Sequence, residues 1–139
     1  MLVIKNEDIM LEIFLLDKAS ACEDKYEYYQ STINLYVEFK SKGISFATEW
    51  NIFTGELNDF INKIIESEKN QENYSLTFCP MEGMIKLKLS KANDAIGSYT
   101  LGFEFSSDIR SEIVLSGTTR IDQSYIPLII QGLRSLLQD

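Results

Sequence analysis

The residues best suited to recognition lie in one polar segment, residues 17–30, which contains three tyrosines and four acidic residues. Tyrosine offers a large, rigid contact surface at low entropic cost and is enriched at binding hot spots. Carboxylates interleaved with these rings add charge complementarity to a basic partner. The sequence therefore predicts a protein-binding site formed by Glu23, Asp24, Tyr26, Glu27 and Tyr29.

The same segment has a plainer interpretation. Its last tyrosines then begin the next strand, with Tyr28 packed on a sheet, and its acidic residues only keep a loop solvated. Residue types alone do not separate this interpretation from a binding site.

No catalytic motif accompanies the segment. The chain has no histidine, which excludes Ser-His and Cys-His nucleophile pairs and the zinc sites that use histidine. The seven glycines are isolated and form no phosphate-binding loop. A hydrolytic carboxylate pair can be drawn from the 21 acidic residues, but no spacing singles out two of them. The sequence therefore predicts a protein that is not an enzyme, with no catalytic residue, cofactor or metal site.

Composition and charge limit the class of protein and of partner. With 139 residues, of which 45% are hydrophobic and 24% charged, the chain is predicted to form a single globular domain over residues 1–139. A formal net charge of −8 disfavours nucleic acid as a partner, because phosphate binding requires clustered Lys and Arg. No apolar run approaches the ~20 residues that span a bilayer, so no membrane segment is predicted.

The N-terminus and the cysteines favour a cytoplasmic protein. The first residues, MLVIKNEDIM, have no basic start, long apolar stretch or small-residue cleavage site of a secretory signal. Both cysteines are therefore expected as reduced thiols, Cys79 as a small core residue and Cys22 as a loop residue.

Hydrophobic periodicity predicts the elements that must position these residues. Alternating or β-branched runs predict four strands before the first helix, at residues 2–4, 9–16, 32–40 and 44–53. Three or four further strands are predicted after it, at residues 74–79, 84–89, 99–105 and 112–120. A first amphipathic helix follows an N-cap at Thr54 and fades at residues 67–70. A second helix, capped by Asp122 or Ser124, has a predicted buried face of Leu128, Ile129, Leu133, Leu136 and Leu137.

The hairpin-sized connections predict antiparallel pairing, and hence an α+β fold in the order strands, helix, strands, helix. The sheet is either one strongly bent, mostly antiparallel sheet or two packed sheets, covered by the two helices. Trp50 is expected in the core, and Lys86 and Lys88 on a solvent face or a guarded edge. The other predicted core residues are Ile13, Leu15, Leu35, Val37, Phe39, Phe46, Phe60, Ile61, Ile64, Leu87, Leu101, Phe103, Phe105, Leu115, Ile129, Leu133 and Leu136.

One local match predicts an internal duplication. At an offset of 66 residues, LYVEFKS at 35–41 matches LGFEFSS at 101–107 in four of seven positions. A turn, a returning strand and a helix follow each segment, so two copies of this unit could pack across a pseudo-twofold axis. The alternative is that two half-buried strands rich in Phe and Glu match by their period of two alone.

Several segments together resemble small bacterial proteins of the WapI-type immunity family. They are the start LVIKNEDIMLEIFLL, the hairpin INLYVEFKSKGISF, the helix GELNDFINKI, the strand SYTLGFEF and the closing helix DQSYIPLIIQGLRSLL. The resemblance implies a non-catalytic cytoplasmic protein that binds and neutralises a bacterial toxin domain. It implies no catalytic residues and leaves the oligomeric state unassigned.

The resemblance and the acidic charge agree on one kind of partner. Toxins that cut nucleic acid have basic clefts, onto which an acidic inhibitor is steered at a high association rate. The alternative is a stand-alone binding or structural domain with no toxin partner, and an enzyme ranks last. A neighbouring gene for a large secreted protein with a basic C-terminal domain would separate the first two.

Overall fold

The computed structural model describes residues 1–18, 31–70, 73–80, 84–92, 98–106 and 112–138. Within these ranges the chain forms two four-stranded sheets, each followed by a helix. Sheet 1 contains β1 (Leu2–Lys5), β2 (Ile9–Lys18), β3 (Thr32–Ser41) and β4 (Ile44–Phe53), followed by α1 (Thr54–Asn70). Sheet 2 contains β5 (Tyr74–Phe78), β6 (Ile85–Lys91), β7 (Tyr99–Phe105) and β8 (Leu115–Ile121), followed by α2 (Tyr125–Gln138).

Each sheet is an antiparallel meander in which sequence neighbours pair. The predicted α+β fold and its element order are confirmed, and of the two predicted sheet arrangements the structure has the two separate sheets. The β3–β4 hairpin turns over two residues between the paired Ser41 and Ile44. Gly43 has a φ of 78° there, a left-handed conformation that glycine adopts without steric cost.

The core lies between the inner faces of the two sheets. Phe39 of β3 contacts Phe103 and Phe105 of β7, with ring centroids 4.7 and 5.4 Å apart. Trp50 is buried as predicted, with its ring edge-on to Phe78 of β5. Most predicted core residues are buried, while Leu15, Phe46 and Leu115 are partly buried and pack against the core.

Each helix packs against a strand of the half of the chain to which it does not belong. The first helix, α1, packs along β5 as well as β4, whereas α2 packs along β1, and the helices contact each other. The Tyr125 hydroxyl of α2 donates to the Lys5 carbonyl at 2.6 Å, and the N-terminal amine donates to Ser135 Oγ at 2.7 Å. Each helix therefore covers the first strand of the other half.

Two sequence predictions about single residues are wrong. Leu128 is 54% exposed, because the buried stripe of α2 runs through Ile126, Ile129 and Leu133 and leaves position 128 on the solvent side. Cys79 is exposed, because the Phe78 side chain points inward and the next side chain of an extended chain points outward. Cys22 lies outside the described residues.

The caps and the lysines also have defined positions. Asp122 caps α2, since its carboxylate accepts the Ser124 N–H at 2.8 Å. Thr54 is the first residue of α1, and its hydroxyl donates to the Ser31 carbonyl at 3.4 Å. Lys86 and Lys88 lie on β6, an interior strand of sheet 2, and so on a solvent face and not an edge.

The two halves have the same order and the same register. At the offset of 66 residues, Phe39 and Phe105 are both buried at the end of the third strand of their sheets. Val37 and Phe103 are also both buried and pair with Ile13 and Leu87 on the second strands. These are the order and register expected of a duplicated unit, and the common origin of the halves stays a prediction.

Candidate binding surface

The predicted binding residues belong to the connection between β2 and β3. Glu23, Asp24, Tyr26, Glu27 and Tyr29 lie outside the residues that the structure describes. Both ends of the connection are described. Lys18 is paired with Ile33 at the end of β2, and the Ser31 carbonyl accepts the Thr54 N–H at 3.0 Å. The connection therefore leaves and re-enters the same end of sheet 1, beside the start of α1.

Sheet 1, whose strands the connection joins, has one face that points away from sheet 2. In β1, β2 and β3 buried residues alternate with more exposed ones, and β4 buries Trp50 and Ile52, so the residues between them form this face. Toward one side of this face Met10 is paired with both Lys5 and Lys40 on the neighbouring strands. Toward the other side Asn34 is paired with Asn51. We call its centre the first outer face: Val3, Glu12, Phe14, Tyr36, Glu38, Ala47 and Glu49.

Aromatic and aliphatic side chains are prominent on the first outer face. Phe14 and Tyr36 are directly opposite on β2 and β3, with ring centroids 5.2 Å apart at 38°. Val3 is 40% exposed, and Leu16, at the register shift between Leu15 and Asp17, is 45% exposed. Large apolar side chains on an exposed sheet face are typical of a protein-binding surface.

The charges of the first outer face are poorly balanced. Glu12 is directly opposite Glu38, and Glu49 is opposite Tyr36. Lys40 Nζ lies 3.5 Å from Glu38 Oε1, and among the described residues no Lys or Arg is in ion-pair contact with Glu12 or Glu49. Like charges opposite each other on neighbouring strands lower stability. The opposition of Glu12 and Glu38 is therefore unfavourable, and Lys40 relieves it only on the Glu38 side.

The corresponding face of sheet 2 is different in character. It presents Lys86 and Lys88 of β6 beside small residues of β7 and β8, namely Gly102, Ser116 and Thr118. Glu104 is directly opposite Lys86, and the two form an ion pair at 3.8 Å. We call this the second outer face: Thr77, Lys86, Lys88, Gly102, Glu104, Ser116 and Thr118. On this face Glu104 is therefore matched by the lysine opposite it.

The described residues with clearly shifted pKa values lie elsewhere, where α1 meets sheet 2. The Glu68 carboxylate of α1 accepts the hydroxyls of Tyr74 at 3.1 Å and Tyr99 at 3.0 Å, and Lys91 Nζ lies 4.0 Å from it. Burial and the interaction with Glu68 raise the pKa of both tyrosines above the usual value, that of Tyr99 to about 12. These contacts join α1 to the edge and centre of sheet 2, which is a structural role.

Removing the Tyr99 hydroxyl tests that role. We expect Tyr99→Phe to lower the free energy of unfolding by about 1 kcal/mol at neutral pH, because Glu68 loses one donor and keeps Tyr74. In the unfolded chain Tyr99 loses its proton near pH 10, but in the folded chain only near pH 12. The unfolded state therefore gains negative charge first, and stability falls as the pH rises between these values.

Urea unfolding of the wild type and Tyr99→Phe at several alkaline pH values measures this effect. The difference between the two proteins should shrink from pH 9 to pH 12. A constant difference across the range would show that the pKa of Tyr99 is the same in the folded and the unfolded states.

Neither metal binding nor membrane insertion is indicated in the described parts of the chain. No group of three or more Cys, Asp or Glu side chains there is placed to hold a metal ion. No described helix is both long and apolar enough to span a bilayer.

The sequence prediction missed the first outer face. Tyr36 and Glu38 were assigned correctly to the face of β3 opposite its buried residues, but the segment IMLEIFLL is apolar at nearly every position and gave no faces for β2. Only the pairing of β2 with β3 places Phe14 and Glu12 beside them. An alternation of apolar and polar residues in β2 would have revealed this face, and the sequence of β2 has none.

Comparison with known proteins gives one match. A family model described as the immunity protein WapI-like family matches residues 1–139. Searches of the curated proteins and of the solved structures each find no match. The match extends over every segment that carries the resemblance seen in the sequence.

Proposed function

Because the chain belongs to the immunity protein WapI-like family, we propose that it is a non-catalytic immunity protein that binds and neutralises a cognate bacterial toxin domain. The observation that carries the proposal is the family match over the whole chain. In this role the protein acts in the cytoplasm, as a stoichiometric inhibitor that needs no cofactor.

The chemistry of the surface supports a protein partner with basic character. The chain has a net charge of −8, and both the first outer face and the β2–β3 connection combine carboxylates with aromatic rings. Aromatic side chains supply buried contact area in an interface, while opposite charge raises the rate of association. A basic toxin domain is therefore the partner that this surface fits best.

The β2–β3 connection gives the first test of the proposal. We expect a triple variant that combines Glu23→Lys, Asp24→Lys and Glu27→Lys to associate about tenfold more slowly with the toxin domain. The salt dependence of its association rate should also become weaker. The probe is a basic C-terminal domain taken from a large secreted protein whose gene adjoins that of this chain, with stopped-flow or surface-plasmon rates measured at several salt concentrations.

A charge-matched control separates local from global electrostatics. Glu7, Glu66 and Glu112 are exposed carboxylates away from the start of α1, and their reversal to lysine changes the net charge equally. If the two triple variants associate equally slowly, the connection has no special role. A wild-type chain that neither binds the neighbouring domain nor protects cells from it would refute the proposed function.

A further inference from the structure

We propose that the first outer face of sheet 1 is the docking surface for the basic domain, and that a Lys or Arg of that domain lies between Glu12 and Glu38 beside the Phe14 and Tyr36 rings. The inference rests on the proposed function and adds to it the surface and the chemistry of recognition. Its basis is a comparison between equivalent positions of the two sheets.

The equivalent positions have opposite charge arrangements. Val37 and Phe103 occupy the same buried site in the third strand of each sheet, so Glu38 and Glu104, which follow them, are equivalent. On the neighbouring strand Glu12 is opposite Glu38, whereas Lys86 is opposite Glu104. Sheet 2 thus has a cation where sheet 1 has a second carboxylate. Glu104 is therefore paired with the lysine opposite it, whereas Glu38 has a carboxylate opposite it and is paired only with Lys40 of its own strand.

The neighbouring row of paired residues also differs between the two sheets, here in the size of the side chains. Tyr36 of sheet 1 is opposite Phe14, while the equivalent Gly102 of sheet 2 is opposite Lys88. A Cβ placed on Gly102 would meet only ordinary van der Waals contacts, the nearest being Lys88 Cβ at 3.5 Å. Packing within sheet 2 therefore does not require a glycine at position 102, while in sheet 1 the equivalent Tyr36 ring packs on Phe14 and stays partly exposed. The rings of sheet 1 are available for contact with another molecule.

A basic partner is the occupant that both rows fit. A guanidinium or ammonium group placed near Glu12 and Glu38 would relieve their repulsion, and its hydrogen-bond donors match two carboxylates. The same cation, placed beside Tyr36 and Phe14, is attracted electrostatically to the faces of their rings. Arginine in particular stacks on aromatic rings. Exposed Val3 and Leu16 extend the apolar contact on either side of these rows. The surface combines an apolar contact area with the carboxylates of Glu12 and Glu49, which form no ion pair with a described Lys or Arg.

The sharpest test is a variant that stabilises the protein and weakens its binding. Glu12→Lys gives sheet 1 the charge pair of sheet 2, so we expect a higher midpoint of thermal unfolding than in the wild type. We also expect its affinity for the neighbouring-gene domain to fall at least tenfold, since it places a cation where the partner's cation binds. Because the variant is more stable, unfolding does not account for lost binding.

Glu104→Lys is the matched control on the second outer face. It changes the net charge by the same amount at a residue equivalent to Glu38, but it breaks the ion pair with Lys86. We expect a lower unfolding midpoint and an affinity within about threefold of the wild type. Tyr36→Ala, which leaves the charge unchanged, should weaken binding at least tenfold as a lost hot spot.

The outcomes distinguish failure of this inference from failure of the proposed function. If the wild type does not bind the neighbouring-gene domain, the proposed function and the docking surface are both wrong. If the wild type binds but Glu12→Lys and Tyr36→Ala bind as tightly as Glu104→Lys, the immunity function stands and the docking surface is wrong. Loss of binding in Glu104→Lys alone would place the interface on sheet 2 and also overturn the inference.

Discussion

Replacing Phe103 by alanine is expected to lower the free energy of unfolding by about 3–5 kcal/mol. Phe103 is 8% exposed and lies between the sheets, with its ring 4.7 Å from that of Phe39 and 5.4 Å from that of Phe105, centroid to centroid. Truncation removes the buried ring and leaves a cavity that rigid neighbouring rings fill poorly. Urea unfolding followed by the fluorescence of Trp50, the single tryptophan and itself buried, measures the loss.

A second phenylalanine provides the control for this measurement. Phe14 also contacts one aromatic ring, that of Tyr36, but it lies on the first outer face and is only partly buried. Phe14→Ala should cost about 1 kcal/mol. A cost of that size for Phe103→Ala would mean that β7 presents the other set of side chains to sheet 1, a register shifted by one residue.

The sequence was sufficient to predict elements whose periodicity is clean. In β3, Leu35, Val37 and Phe39 alternate with polar residues, and all three are buried. The same holds for β7, whose predicted limits coincide with those observed. The prediction is correct for these strands because one face is apolar and the other polar. The period of two then indicates both that the segment is a strand and which of its faces is buried.

The arrangement of elements was beyond reach of the same reasoning. An apolar stripe on α1 or α2 shows which residues are buried but not which strand buries them, and each helix packs on the first strand of the other half. Leu128 shows the limit within one helix, since an apolar residue beside the stripe looks like part of it. The periodicity of a segment indicates which of its residues are buried. It does not indicate which distant helix or strand buries them, because that depends on the three-dimensional arrangement of the elements.

The candidate surface illustrates this limit most directly. The β2–β3 connection was singled out by composition, because tyrosines and acids are adjacent in the sequence. The opposition of Glu12 and Glu38 was not, because the two residues are 26 positions apart and meet only through the register of β2 with β3. Both features belong to sheet 1, and the connection joins the two strands that carry those glutamates.

Replacing Gly132 by alanine is expected to cost about 2 kcal/mol, although alanine favours a helix more than glycine does. A Cβ at this position of α2 would lie 2.7 Å from Leu2 Cδ1 and 2.9 Å from Leu2 Cα. The Cα belongs to the backbone of β1 and cannot rotate away, so α2 must move off the strand. Thermal or urea unfolding measures the loss, and weaker hydrogen-exchange protection of β1 locates it.

Gly102→Ala is the control, because its Cβ would meet neighbouring atoms at 3.5 Å or more. It should be neutral or stabilise the protein by up to about 1 kcal/mol, since glycine inside a strand is entropically unfavourable. The contrast between the two glycines tests the packing of α2 on β1, and with it the placement of each helix on the other half. Equal, small effects at both positions would show that α2 lies farther from β1 than the structure places it.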